Sequence, residues 1–139
     1  YKSRLQAIVE DAGMHGLINF VGQLDRKRLS RFWELHHLGV FPSIHPEAFG
    51  IVGAEIMASG VALITSGVGG SSELIDHNSG FRFKADSPDD LSNVIKSVIN
   101  KPDLIARVAR NGKERAHTMF SVIRSAEKIQ KFFLKARTS

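Results

Sequence analysis

Gly60 and the four residues behind it, Val61, Ala62, Leu63 and Ile64, constrain the fold more than any other part of the chain. A strand with one wet face alternates apolar and polar side chains, so a run without alternation has to be covered on both sides. Parallel strands are buried in this way, because the connections between them run as helices across the two faces. The run follows an apolar-periodic stretch, Ile51, Val52, Ala54, Ile56 and Ala58, that reads as such a helix.

The same alternation extends through most of the sequence. Leu5, Ile8, Val9 and Ala12 share one helical face, with Gly13 or Gly16 as the stop. Residues 18–21, closed by Gly22, read as a short buried strand. Asp25 has the chemistry of an N-cap for a polar helix that turns Leu29, Phe32, Trp33 and His36 inward. Residues 38–41 form a second strand, stopped by Pro42, which cannot donate to a ladder.

After residues 61–64, Gly67, Gly69 and Gly70 make a turn, and Ser71 or Ser72 caps a helix containing Leu74 and Ile75. Residues 80–83 read as a further strand. Ser87-Pro88-Asp89-Asp90 is a helix start, with a capping hydroxyl, proline in the first turn and an acid three positions on. Leu91, Val94, Ile95, Val98 and Ile99 form the buried stripe of that helix. Pro102 opens another through Ile105, Val108 and Ala109, and a last helix carries Val122, Ala126, Ile129 and Phe133, expected to pack on the body of the protein. The expected architecture is α/β: a Rossmann-like parallel sheet with helices on both faces and a helical C-terminal end.

Composition narrows the function classes. The 139 residues fit one domain, and 42% apolar content is that of a globular chain rather than a disordered one. No apolar run approaches the roughly 20 residues of a membrane-spanning helix. The sequence opens on Tyr1 without the charged and apolar regions of a secretory leader. With no cysteine, disulfide and thiolate chemistry are excluded and the compartment stays open. A net charge of +5 favours anionic partners, but the excess is concentrated in residues 101–137, where a solvated outer helix face is the plainer reading.

The segment with the most chemistry is HPEAFGIVGAEIMASG, residues 45–60. Gly50 interrupts the backbone ahead of the apolar-periodic stretch, so Glu47 belongs to a loop and Glu55 to the helix behind it, where both could face one pocket. A helix start offers amide groups without intrahelical partners and a partial positive charge, which suits a phosphate. Carboxylates on the loop and helix accept hydrogen bonds from sugar hydroxyls. The plainer reading is a surface acid and a helix acid paired with nearby cations.

Residues 41–80 read FPSIHPEAFGIVGAEIMASGVALITSGVGGSSELIDHNSG, and this stretch resembles the second, donor-binding domain of retaining glycosyltransferases of two-domain GT-B architecture. That family, glycosyltransferase family 4 or glycosyl transferases group 1, is typified by sucrose, glycogen and cell-surface polysaccharide synthases. Its signature is a glutamate, seven residues, a second glutamate, a short apolar strand and a Gly-Gly turn. Here these are Glu47, Glu55, residues 61–65 and Gly69-Gly70. The fainter similarity runs from INFVGQL to the last helix.

The resemblance implies that Glu47 is the catalytic-site acid that orients the transferred sugar and that Glu55 takes the ribose hydroxyls. Ala48, Phe49, Gly50 and Ile51 would meet the sugar and distal phosphate, chiefly through backbone groups. Val21 and Gly22 match the position that holds the base. His45, Gly69 and Gly70 are further candidates for sugar or acceptor contact. For Gly69-Gly70 a tight strand-to-helix connection is an equal reading, and for His45 a solvated side chain is the plainer one.

The function so implied is transfer of a hexosyl unit from a UDP- or GDP-sugar to a glycan, lipid or small-molecule acceptor, with retention and without metal or other cofactor. The alternative is a catalytically inactive nucleotide-binding module of the same fold. By the family's pattern, residues 1–139 are expected to be a partial donor-binding domain, lacking its first strand and Arg/Lys loop and the N-terminal acceptor domain, and inactive alone. A cytoplasmic location follows from the resemblance, with peripheral attachment at the cytoplasmic membrane face left open through the 128–137 segment. A GxxxxGK[ST] loop, HExxH, cysteine clusters and a complete GxGxxG are absent, so their chemistries lack a signature. One tryptophan, one tyrosine and no interleaving of aromatic with basic residues argue against nucleic acid.

Overall fold

A computed structural model of the chain describes residues 1–137. The elements run α1 (Lys2–Asp11), α2 (Arg26–Trp33), β1 (Leu38–Phe41), α3 (Ile51–Ala58), β2 (Ala62–Thr65), a 3-10 turn (Gly70–Glu73), β3 (Phe81–Arg82), α4 (Pro88–Val98), α5 (Pro102–Met119) and α6 (Val122–Arg137). The strands make one parallel sheet in the order β1-β2-β3, pairing Leu38 with Ala62 and Ile64 with Phe81.

Every residue of β2 is buried, as a run without alternation requires. Its successive side chains serve opposite faces. Leu63 joins Ile56 and Met57 of α3, Leu74 and Ile75, while Ala62 packs with Val108 and Ala109 of α5. Farther along α5, Ala116 belongs to the Leu63 cluster, so this helix ties the two faces together. Ile56, Leu63, Ile64 and Leu74 are fully buried, each stabilising the fold by about 1.5–3 kcal/mol against about 1 kcal/mol for a helix cap. Burial of these side chains therefore outweighs the local helix caps.

Local signals set the helix ends. The Asp25 side chain accepts from the Arg28 amide at 2.8 Å, and Ser87 Oγ accepts from the Asp90 amide at 3.3 Å. At the end of α1, the Gly13 and Met14 amides return to the Glu10 and Val9 carbonyls, closing a Schellman turn. Gly50 stands at the N-cap of α3 with φ +86°, in the left-handed region that glycine tolerates.

Five expectations are corrected. Residues 18–21 form no strand: no described strand pairs with them, and Ile18, Phe20 and Val21 are 40%, 36% and 54% exposed. Their composition suits a buried strand, but a ladder needs a neighbour, and β1 pairs only with β2 among the described residues. Ser71 and Ser72 cap nothing. Instead Ser71 Oγ turns back to donate to the Val68 carbonyl at 2.7 Å, and the helical geometry closes by Leu74. His36 is exposed past the end of α2, its Nδ1 2.6 Å from the Phe32 carbonyl. The apolar residues of α6 do not pack on the described body: Val122, Phe132 and Phe133 are 83%, 71% and 63% exposed. The third strand is shorter than expected, though the Phe83 amide still reaches the Thr65 carbonyl at 3.2 Å.

Arg115 of α5 braces the segment after the 3-10 turn. Its guanidinium donates to the Leu74 and Glu73 carbonyls at 2.8 and 2.9 Å and to Asp76 Oδ2 at 3.1 Å. Asp76 also accepts from Ser79 Oγ and the Asn78 amide, and these bonds, with the Arg115 charge, hold its carboxyl below the ordinary value. A carboxyl depressed in the folded state stabilises above its unfolded pKa and loses that contribution as acid protonates it. Asp76→Asn is thus expected to lower the urea midpoint of the intact protein at pH 7, the difference from wild type shrinking as pH falls from about 4.

Gly50 yields a second expectation. A Cβ there would meet Phe41, Ser71 and Leu74 at 3.1–3.2 Å, on a backbone that already disfavours L side chains. Gly50→Ala is expected to cost about 2–3 kcal/mol, read as a lower urea midpoint at unchanged m-value.

Candidate functional site

Parallel pairing sends the chain after β1 and the chain after β2 out of the same end of the sheet, the carboxyl end where ligands of open α/β sheets bind. The two loops then join. Glu47 and Gly69 form a parallel bridge, in which the Gly70 amide donates to the Glu47 carbonyl at 2.7 Å and the Glu47 amide to the Val68 carbonyl at 3.4 Å. The approach is too close for side chains: a Cβ on Gly69 would strike the Glu47 backbone, and one on Gly70 the Ala48 carbonyl. Gly69 also has φ +66°. Both glycines are therefore needed to zip the turn to the Glu47 loop, and the Gly70 amide is occupied in doing so.

Polar side chains brace this joint. Ser66, buried at the end of β2, donates through Oγ to the Ser43 carbonyl at 2.5 Å, while Ser43 Oγ lies 2.9 Å from Glu47 Oε1. Arg82 of β3 donates to the Gly67 and Ser72 carbonyls at 3.3 and 3.0 Å, spanning the glycine turn. None of these residues stood out in the sequence. The signal available was chemical rather than periodic: hydroxyls at both strand ends, and a cation on a strand whose alternation points it outward.

Past Glu47 the loop turns into α3. Phe49 is half-buried and meets the Phe120 ring edge-on at 5.0 Å, so its side chain anchors the loop. Ala54 makes the first intrahelical bond, to the Gly50 carbonyl at 3.3 Å, which leaves the amides of Ile51, Val52 and Gly53 without helical partners. Ile51 is 66% exposed, so this start of the helix opens to solvent. Ala48 and Gly69 are exposed beside it, as is His45, whose carbonyl lies 3.1 Å from Ser43 Oγ.

Glu55 sits in the second turn of α3, half-buried, and lines a hollow of about 180 Å³ with Leu29, Ser30, Trp33, Ala58 and Ser59. Glu47 is not among the residues of that hollow. Val21 and Gly22 lie on the exposed 18–21 segment and its end, outside the sheet. A larger cavity, about 900 Å³, is at the opposite end of the strands, between Leu38, Gly60 and α5, and includes neither acid.

An acid loop and a glycine turn are thus zipped together at the carboxyl ends of adjacent parallel strands, beside an open helix start, where ligands of open α/β sheets bind. Residues 1–115 match the family model of glycosyl transferases group 1, and the chain belongs to that family. It is similar to the glycogen synthase of Mycobacterium tuberculosis, 31% identical over 117 residues covering 81% of this chain and 28% of the relative. D-inositol 3-phosphate glycosyltransferase 2 of Catenulispora acidiphila is 26% identical over 115 residues, 82% of this chain and 27% of its own length.

Among solved structures, sucrose-phosphate synthase from Thermosynechococcus elongatus superimposes with a TM-score of 0.84 at 26% identity, over 98% of this chain and 34% of that one. Anabaena HepE in complex with UDP gives 0.86 at 25% identity, over 97% and 37%. The chain thus spans little more than a quarter of the length of the curated relatives it matches.

The bracing by Arg82 can be read directly. Arg82→Ala is expected to raise hydrogen exchange of the Gly70 amide by about threefold to tenfold, a discount on the usual worth of charged hydrogen bonds because the side chain is exposed. The β2 amides should keep their protection.

Proposed function

We propose that this chain supplies the donor-binding half of a retaining glycosyltransferase, transferring a sugar from a nucleoside diphosphate, UDP or GDP, to a glycan, lipid or small acceptor. The observation that carries the reading is the Glu47–Gly69 bridge, which sets a carboxylate loop beside the solvent-open start of α3. HepE, similar in fold and sequence, is known in complex with UDP, which favours a uridine donor.

In this reading the diphosphate lies against the amides of the first turn of α3, where peptide dipoles and free N–H groups stabilise negative charge as the nucleotide departs. The reading calls for no metal ion. Glu47 accepts hydrogen bonds from hydroxyls of the transferred sugar and holds it for attack by the acceptor on the face the nucleotide leaves. Glu55 accepts from the ribose hydroxyls. His45 and the exposed edge of Gly69 border the sugar, and Val21 and Gly22 meet the base through their backbone. The remaining length of the relatives corresponds to the acceptor side, and the location is the cytoplasm or its membrane face.

A second reading, donor binding without turnover, is favoured for the isolated chain by its short span of the relatives. Calorimetry with UDP and UDP-sugars on the intact protein, paired with turnover, separates the roles. Glu55→Ala is expected to weaken UDP about tenfold or more, the loss of a hydrogen bond to a charged group. Glu47→Ala is expected to leave UDP affinity within about twofold while lowering kcat/KM about a hundredfold. Unchanged affinity and turnover in both variants would overturn the assignment.

A further inference from the structure

We propose that Ser43 is a positioning residue for Glu47, selecting the one carboxylate orientation that meets the donor sugar; the inference rests on the donor-site reading above. Glutamate has several rotatable bonds, and a carboxylate at the end of a loop side chain ordinarily samples many orientations. Here both ends of the side chain are held. The backbone of Glu47 is pinned by the bridge to Gly69, and its tip is met by Ser43 Oγ, 2.9 Å from Oε1.

Ser43 is itself fixed. Its carbonyl accepts the hydroxyl of Ser66 at 2.5 Å, and Ser66 is only 7% exposed at the end of β2. The position of the Ser43 hydroxyl is thus referred back to the central strand rather than to a mobile loop. A serine hydroxyl has one proton to give, and two acceptors compete for it: Glu47 Oε1 at 2.9 Å and the His45 carbonyl at 3.1 Å. The carboxylate is charged and nearer, so it takes the proton. Oε1 is then engaged by the protein, and Oε2 has no partner among the described residues. One oxygen is the anchor and the other is presented, which is the division a group that orients a sugar hydroxyl requires.

The effect should fall on the step that needs the sugar held in place, not on nucleotide binding. In the intact protein, Ser43→Ala is expected to lower kcat about tenfold with KM and UDP affinity within about twofold, and Ser43→Thr, which keeps the hydroxyl, is expected to restore most of the rate. The decisive measurement is a double-mutant cycle: in a Glu47→Ala background, Ser43→Ala should have no further effect. Ser66→Ala separates orientation from loop integrity, since it loosens the Ser43 backbone without removing the donor, and it should cost less than Ser43→Ala.

If Glu47→Ala lowers turnover but Ser43→Ala does not, or the two effects multiply, the positioning role is wrong and the donor-site reading stands. Equal losses in Ser66→Ala and Ser43→Ala would likewise assign the effect to loop integrity and overturn it. A silent Glu47→Ala would remove both the positioning role and the reading beneath it.

Discussion

The seating of α3 against the sheet depends on side chains that are absent. A Cβ on Gly39 of β1 would run into Ile56, and one on Gly53 would come within 2.5 Å of Leu74 Cδ1. With glycine at both positions the helix lies close on β1 and on the Leu74 segment, and Ile56, Leu63 and Leu74 pack in one buried cluster. A larger residue at either place would lift the helix, and with it the first-turn amides that the site presents. Core packing and site geometry are in this sense one constraint.

That constraint explains how the two acids come to be held differently. Glu55 is carried by a regular helix and inherits its position from α3, against α2 residues such as Trp33. Glu47 is on a loop, and loops hold side chains poorly unless something closes them. The closure here is tertiary: backbone bonds to the glycine turn, the Ser66–Ser43 link to β2, and Arg82 spanning the turn from β3. Three successive parallel strands therefore each contribute to one joint. Rigid placement of amides and carboxylates before a substrate arrives is what lets such groups stabilise developing charge without reorganising.

Much of this was legible in the residue order. The Asp25 and Ser87 caps, the boundaries of β1, the buried run of β2 and the break at Gly50 all follow from short-range chemistry, which a single sequence displays. Glu47 and Glu55 were identifiable because their spacing sits inside a recognisable motif. The failures have a common cause. Residues 18–21 look like a strand in composition, yet whether they pair depends on a neighbour; α6 is amphipathic, yet whether its apolar side is covered depends on what lies against it. The Ser71 hydroxyl could accept from a helix amide or donate to a carbonyl, and in the fold it donates to Val68.

The sequence by itself determined the parallel α/β plan, the positions of most helix starts, and the identity of the two acids with the glycine turn behind them. These rest on periodicity, capping and backbone preference, which act over a few residues and need no knowledge of the rest of the chain. Only the tertiary structure decided that the glycine turn binds the Glu47 loop, that Ser43 meets the carboxylate of Glu47, and that Arg82 spans the turn. The first and last of those contacts join segments that follow or belong to different strands, and they exist because the parallel register delivers two loops to the same edge; the Ser43–Glu47 contact lies within the loop after β1 that this joint holds in place. No local pattern encodes that register, since it emerges only when the apolar faces of β2 find α3 on one side and α5 on the other.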